Sequence, residues 1–386
     1  MSQINELLAG VKVEWKTLGD IAEIGTGNSN RQDESENGKY NFYVRSKNIL
    51  KSDTFQFDET AIIIPGEGGI GDIFHYVEGK YALHQRAYRV HITEQNINTK
   101  YVFYVMSNSF KNYILSKSVG TTAVSIRKPM LLKYSLPIPP IYIQQKIVEI
   151  LDKFTQMCNE LTAELTLRRK QYNYFRDLLL SEDYLNKMTE SLGGAYQKVE
   201  RRALGEIAQY SKTRISADQL TEQNYVGVDN LLQDRQGKTL SNHAPAEGNF
   251  TEFRENDILI GNIRPYLKKI WLSNLIGGTN GDVLVVRLND EMITSEYLYQ
   301  LLADDKFFHY NIQHSKGARM PRGSKEAIMN YEIPIPSLTI QSHIVAILDQ
   351  FDTLTNSITQ GLPKEIELRQ KQYEYYREKL LTFEKE

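Results

Sequence analysis

Apolar side chains recur every three or four positions along two stretches of the chain, a spacing that predicts two long amphipathic helices. In the first, Ile147, Leu151, Phe154, Cys158, Leu161, Leu165, Tyr172, Phe175 and Leu179 form a heptad seam with Arg168 as its polar break. No Gly or Pro interrupts Gln144 to Leu180, and Pro139 and Pro140 stand where a first helical turn tolerates them. About 36 residues at ~1.5 Å each make a rod of roughly 54 Å. The second helix carries Ile344, Leu348, Phe351, Thr355 and Ile358, then Ile366, Arg369, Tyr373, Tyr376 and Leu380 on the same seam. Pro363, beside Gly361, must kink or break it.

The two helices are copies. IPPIYIQQKIVEILDKF (Ile138 to Phe154) and IPSLTIQSHIVAILDQF (Ile335 to Phe351) agree at 10 of 17 positions. LRRKQYNYFRDLLL (Leu167 to Leu180) and LRQKQYEYYREKLL (Leu368 to Leu381) agree at 9 of 14. VEWKTLGDIAEI (from Val13) and VERRALGEIAQY (from Val199) extend the repeat outward, so two tandem units fill the chain. Between entry and helix each unit is β-rich, with short runs such as TAIIIP, NDILIGNI and GDVLVVRL set between Gly, Asn and Asp turns. The expected class is therefore α+β with an internal repeat. The two seams either pack on each other or each dock on their own β-rich region.

Composition narrows the function. The chain has 386 residues, 41% hydrophobic and 24% charged, with a net charge of −2. This fits a globular protein of two or three domains, with no apolar run approaching the ~18 residues of a membrane span. The N-terminus lacks the basic-then-apolar order of a signal peptide. A lone cysteine, Cys158, excludes an internal disulfide, fits a cytoplasmic setting and is expected in a core.

Catalytic motifs fail one by one. Gly66, Gly68 and Gly71 fit G-x-G-x-x-G, but strand-like residues follow where a dinucleotide site needs a helix. Asp72, Glu78 and Lys80 loosely resemble a nuclease triad without further support. Pro139-Pro140 lacks the acidic or amide residue that an amino-methyltransferase loop needs, and the seven histidines lack metal-ligand spacing. No catalytic residue, metal site or cofactor is expected.

A charge pattern remains. From Phe110 to Ser135 there are five basic residues (Lys111, Lys117, Arg127, Lys128, Lys133) and no acid; from Phe307 to Lys325 there are four (Lys316, Arg319, Arg322, Lys325) and again none. Both surround glycine loops at equal distance before a long helix, so two anion-contacting loops stand against the alternative of solvated loops. Thr121 in the first loop, Arg45, Lys47 and Arg86 nearby, and Arg264, Tyr266, Lys268 and Lys269 in the second unit join the DNA-binding candidates.

A repeated V-E-x-x-x-L-G-(D/E)-I-A entry, a Q-x-x-I-V-x-I-L-D-x-F block and an R-x-K-Q-Y-x-Y-(F/Y)-R helix resemble the specificity subunit of type I restriction–modification systems, over nearly the whole chain. The resemblance implies two target-recognition domains (1–140 and 183–338), each reading half of a bipartite site in double-stranded DNA. It implies two long helices (141–182 and 339–386) in an antiparallel coiled coil related by a pseudo-twofold axis, docking two methyltransferase subunits and, through the complex, restriction subunits. Partner contacts are expected at Arg169, Lys170, Tyr172, Tyr174 and Arg176, and at Lys371, Tyr373, Tyr375 and Arg377. Catalysis, with S-adenosylmethionine and ATP, would belong to the partners. The competing reading is a coiled-coil scaffold whose variable domains bind proteins; a nuclease is a third.

Overall fold

In the computed structural model, residues 2–69, 71–117, 125–191, 198–356 and 360–384 are described. They fold into two compact units, Met1–Glu160 with Glu367–Glu386, and Leu161–Ile366.

The first unit is built on a six-stranded sheet, in the order Ala22–Thr26, Ala87–Ile92, Phe57–Pro65, His75–Leu83, Tyr40–Tyr43, Leu50–Ser52. Strand alternation sends Ile62, Ile64 and Val90 to one face, against Tyr101, Val105 and Phe110 of the Thr99–Lys117 helix. Ala61, Ile63, Val77 and Tyr81 form a second core on the other face. An antiparallel ribbon, Glu14–Thr17 with Ser135–Ile138, ties the repeated entry segment to the lead-in of the long helix.

The second unit divides its strands differently. A four-stranded sheet runs Ala208–Tyr210, Val283–Leu288, Ile258–Gly261, Ile270–Leu272, beside a three-stranded one of Arg214–Ser216, Asn249–Phe253 and Gly277–Thr279. Gly277 is required there, because a Cβ would lie 2.0 Å from the Asn224 carbonyl oxygen. The ribbon recurs as Glu332–Ile335 with Glu200–Ala203. Frame and ribbon repeat; the sheets between them do not.

The first long helix is unbroken from Ile141 to Leu179, 39 residues or about 58 Å. The second is two helices, Leu338–Asn356 and Gly361–Leu381. Gly361 has a left-handed φ of 72°, and Pro363 falls in the first turn of the later helix, where its missing N–H is no loss. The expected break is thus resolved as a restart.

The seams meet helix to helix within each unit. In the first, Phe154 stacks on Tyr376 with ring centroids 5.3 Å apart, and Ile143, Ile147 and Leu151 share a core with Leu380 and Leu381. In the second, Phe175 stacks on Phe351 at 5.4 Å while Arg169 donates to the Thr355 carbonyl at 3.4 Å, an order that makes the pairing antiparallel. From Thr155 to Gln171 no residue is buried, so Cys158 is half-exposed rather than the core residue expected. Its seam neighbours Leu161 and Leu165 are likewise not buried, so no core forms around the thiol along this length of helix.

Candidate nucleic-acid interface

In the first unit the fold gathers side chains from four distant segments. Arg45 Nη1 donates to Glu67 Oε2 at 3.0 Å, and Arg86 Nη1 donates to the same oxygen at 3.2 Å. These two hydrogen bonds hold the Glu67 carboxyl below the usual carboxylate range. Arg127 arrives because the Ile126 N–H donates to the Gly66 carbonyl at 2.9 Å. Two clefts flank Glu67. One, of about 440 Å³, is lined by Arg31, Arg45, Ser46, Asn48 and His84; the other, of about 430 Å³, by Gln85, Arg86, Ser125 and Arg127. Lys47 is exposed beside Arg45, Lys128 opens a short helix next to Arg127, and Lys117 is exposed at the end of its helix. Thr121 lies outside the described residues.

Strain shapes the second cluster. Arg264 and Lys268 both adopt left-handed backbone (φ 53° and 50°) around the turn Pro265–Leu267. Each such residue costs about 1 kcal/mol relative to glycine, a strain that concentrates at binding sites. Backbone bonds hold the turn against the basic loop: Arg264 N–H donates to the Pro321 carbonyl at 2.8 Å, and Ile263 pairs with Arg322. Lys316 and Arg322 exchange backbone bonds of 2.9 Å, which pinches the glycine loop into a hairpin. Arg264, Tyr266, Lys316, Arg319 and Arg322 thus form one exposed patch, with Lys325 exposed beyond it. Gly323 packs on Asn311, where a Cβ would sit 2.3 Å from Oδ1 and displace that side chain.

Some candidates turn inward. Lys268 binds Asp305 at 2.8 Å, and burial holds its ammonium below the usual lysine range. Lys269 donates to the Val228 carbonyl at 2.7 Å. Both brace the turn that carries Arg264. Arg235 also pairs with Asp305 and lies over the Phe308 ring.

Among the helix candidates, Tyr172 and Arg176 are buried in the second unit: Arg176 is 4% exposed, bonds Gln300 and lies over the Tyr172 ring. They serve that unit's interior, because at their helical positions the seam faces Phe351. Arg169 bonds Thr355, Lys170 and Tyr174 are exposed, and Tyr174 is 63% accessible. In the other copy Lys371 and Tyr375 are exposed, while Tyr373 and Arg377 are half-buried against each other.

Glu67, Arg31, His84, Gln85 and Asn311 carry no sequence signal, since nothing in spacing shows that segments around residues 31, 45, 67, 86 and 127 meet. The nuclease-like residues separate: Asp72 binds Lys111 at 2.8 Å, Glu78 accepts from Tyr76, and Lys80 lies over Phe55. The element that follows these glycines is the strand His75–Leu83 rather than a helix. No group of three or more metal-ligating side chains occurs among the described residues, and no helix there is long and apolar enough to cross a membrane.

Exposed arginines on sheet loops thus recur in both units, each beside a pair of packed helices. Residues 11–168 and 196–368 each match the type I restriction modification DNA specificity domain, and the chain belongs to that family. It is 30% identical over 428 residues to the EcoR124I/EcoR124II type I restriction enzyme specificity subunit of Escherichia coli, covering 100% of this chain and 98% of that one. Its fold is shared with the type I restriction-modification S subunit of M. genitalium (TM-score 0.64, 17% identity, 98% of each chain). A chain from a structure on complex assembly and conformational transition of the type I system matches at a TM-score of 0.53 and 13% identity, over 96% of this chain and 97% of that one.

Proposed function

We propose that this specificity subunit is non-catalytic, and that each β-rich region reads one half of a bipartite site in double-stranded DNA. The observation that carries the reading is the gathering of Arg45, Arg86 and Arg127 around one surface, with a separate patch of Arg264, Lys316, Arg319 and Arg322 in the other unit. Guanidinium groups give bidentate contacts to guanine and strong contacts to phosphate. Because the frame repeats and the sheets differ, the two surfaces are suited to different sequences.

The helices set the gap between half-sites and dock two methyltransferase subunits, which supply methylation; restriction subunits join through that complex. Duplication supports this part. Leu167, Lys170 and Tyr174 are exposed on one helix face, and Leu368, Lys371 and Tyr375 repeat them in the other copy. A repeated exposed face of leucine, lysine and tyrosine fits two copies of the same partner.

The reading is tested on the complex with its methyltransferase, by measuring duplex affinity against salt. Alanine at both Arg45 and Arg86 should lower the magnitude of the log–log salt slope by up to about 2. Wild-type binding that ignores salt, or duplex affinity unchanged in the variant, would contradict it.

A further inference from the structure

We propose that Glu67 is a specificity-determining residue of the first unit: its carboxylate selects against phosphate contact and accepts a hydrogen bond from the exocyclic amino group of a cytosine or adenine. This deepens the DNA-reading proposal above and rests on it.

Glu67 lines both clefts and is the single acid among the described residues that line either; Arg45 and Arg86 bind it, and Arg31 and Arg127 each line one of the clefts. Its Oε2 carries both arginine bonds. All three side chains are half-exposed, at 45%, 56% and 47% for Arg45, Arg86 and Glu67. The triad therefore faces solvent as a finished unit. An exposed ion pair adds little stability, so fold maintenance does not explain an acid held between two arginines.

Recognition does explain it. A surface of arginines alone binds any phosphate backbone equally well. A carboxylate between two guanidiniums repels a phosphate brought to the same spot and occupies the donors that would hold it. On a matching base edge the same carboxylate accepts from cytosine N4 or adenine N6, while each arginine keeps a free edge for guanine or a flanking phosphate. The correct site gains a contact and wrong sites meet an unpaired charge, so attraction and repulsion work together. Gly68 and Gly69 take left-handed φ of 75° and 63° in the turn that follows Glu67.

The test uses the whole complex with its methyltransferase, with methylated positions mapped on genomic DNA, so the target need not be known beforehand. Wild type should give one bipartite motif. Glu67→Gln and Glu67→Ala should relax one or two base positions in a single half of that motif, leave the other half unchanged, and tighten binding to a shuffled duplex about tenfold. A motif unchanged at every position in both variants overturns the inference, as does shuffled-duplex binding that stays the same. Relaxation in both halves also overturns it. If wild type itself yields no bipartite motif, the DNA-reading proposal fails instead. Thermal unfolding identical to wild type confirms that the variants fold.

Discussion

Gln144 and Gln341 sit at equivalent positions in the two units and make the same three hydrogen bonds. Gln144 Oε1 accepts from the Asn98 N–H at 2.8 Å, and its Nε2 donates to the carbonyls of Pro139 and Asn96 at 2.8 and 3.3 Å. Gln341 accepts from the Thr294 N–H at 2.9 Å and donates to Pro336 and Met292, both at 2.8 Å. Both are 0% exposed. Each amide pins the start of a long helix to the loop before the helix that packs on its sheet. Removing either strands buried backbone groups, so Gln144→Ala or Gln341→Ala should destabilise by about 3 kcal/mol. Denaturant midpoints check this; an unchanged midpoint would show that water replaces the amide without loss.

Arg264 separates stability from recognition. Arg264→Gly relieves a left-handed side chain and should stabilise by about 0.5–1 kcal/mol, while removing a charge from the reading surface. Thermal unfolding and duplex affinity should therefore move in opposite directions. Lys268→Gly would behave differently, because it also breaks the Asp305 contact.

The helix faces predict stoichiometry. Leu167→Glu with Tyr174→Glu should remove one methyltransferase from the complex, and the matching changes at Leu368 and Tyr375 should remove the other. Because these positions are exposed, stability should shift by less than about 0.5 kcal/mol. Native mass measurement distinguishes complexes with two, one and no partner copies.

Burial holds the His75 imidazole below the usual histidine range, with its Nε2 3.3 Å from the Ser46 carbonyl oxygen. The unfolded chain takes up that proton near its ordinary value of ~6.5, before the folded chain does. Stability from this group is therefore complete above ~6.5 and falls as pH drops through the unfolded value toward the lower folded one. Unfolding temperature should decline between about pH 7.5 and 5.5, and His75→Gln should shrink the decline.

The repeat, the helices and the break near Pro363 were legible because they are written in local periodicity and spacing. The surface around Glu67 was not: strand pairing over tens of residues brings Arg45, Glu67 and Arg86 together, and the acid looked like part of a glycine turn. Tyr172 and Arg176 share the repeated helix motif with exposed neighbours, and only the packing of Phe351 shows which side is inside. Lys268 reads as a free cation until Asp305 is placed beside it.

The central claim is that each unit reads its own half-site, and exchanging one unit's variable region tests it most directly. Residues 199–338 are replaced by the matching region of a relative with a different target, and the sites methylated by the reconstituted complex are mapped. The account predicts a hybrid motif in which one half changes to the donor's sequence and the other half stays as in the wild type. A motif altered in both halves, or in neither, would contradict it.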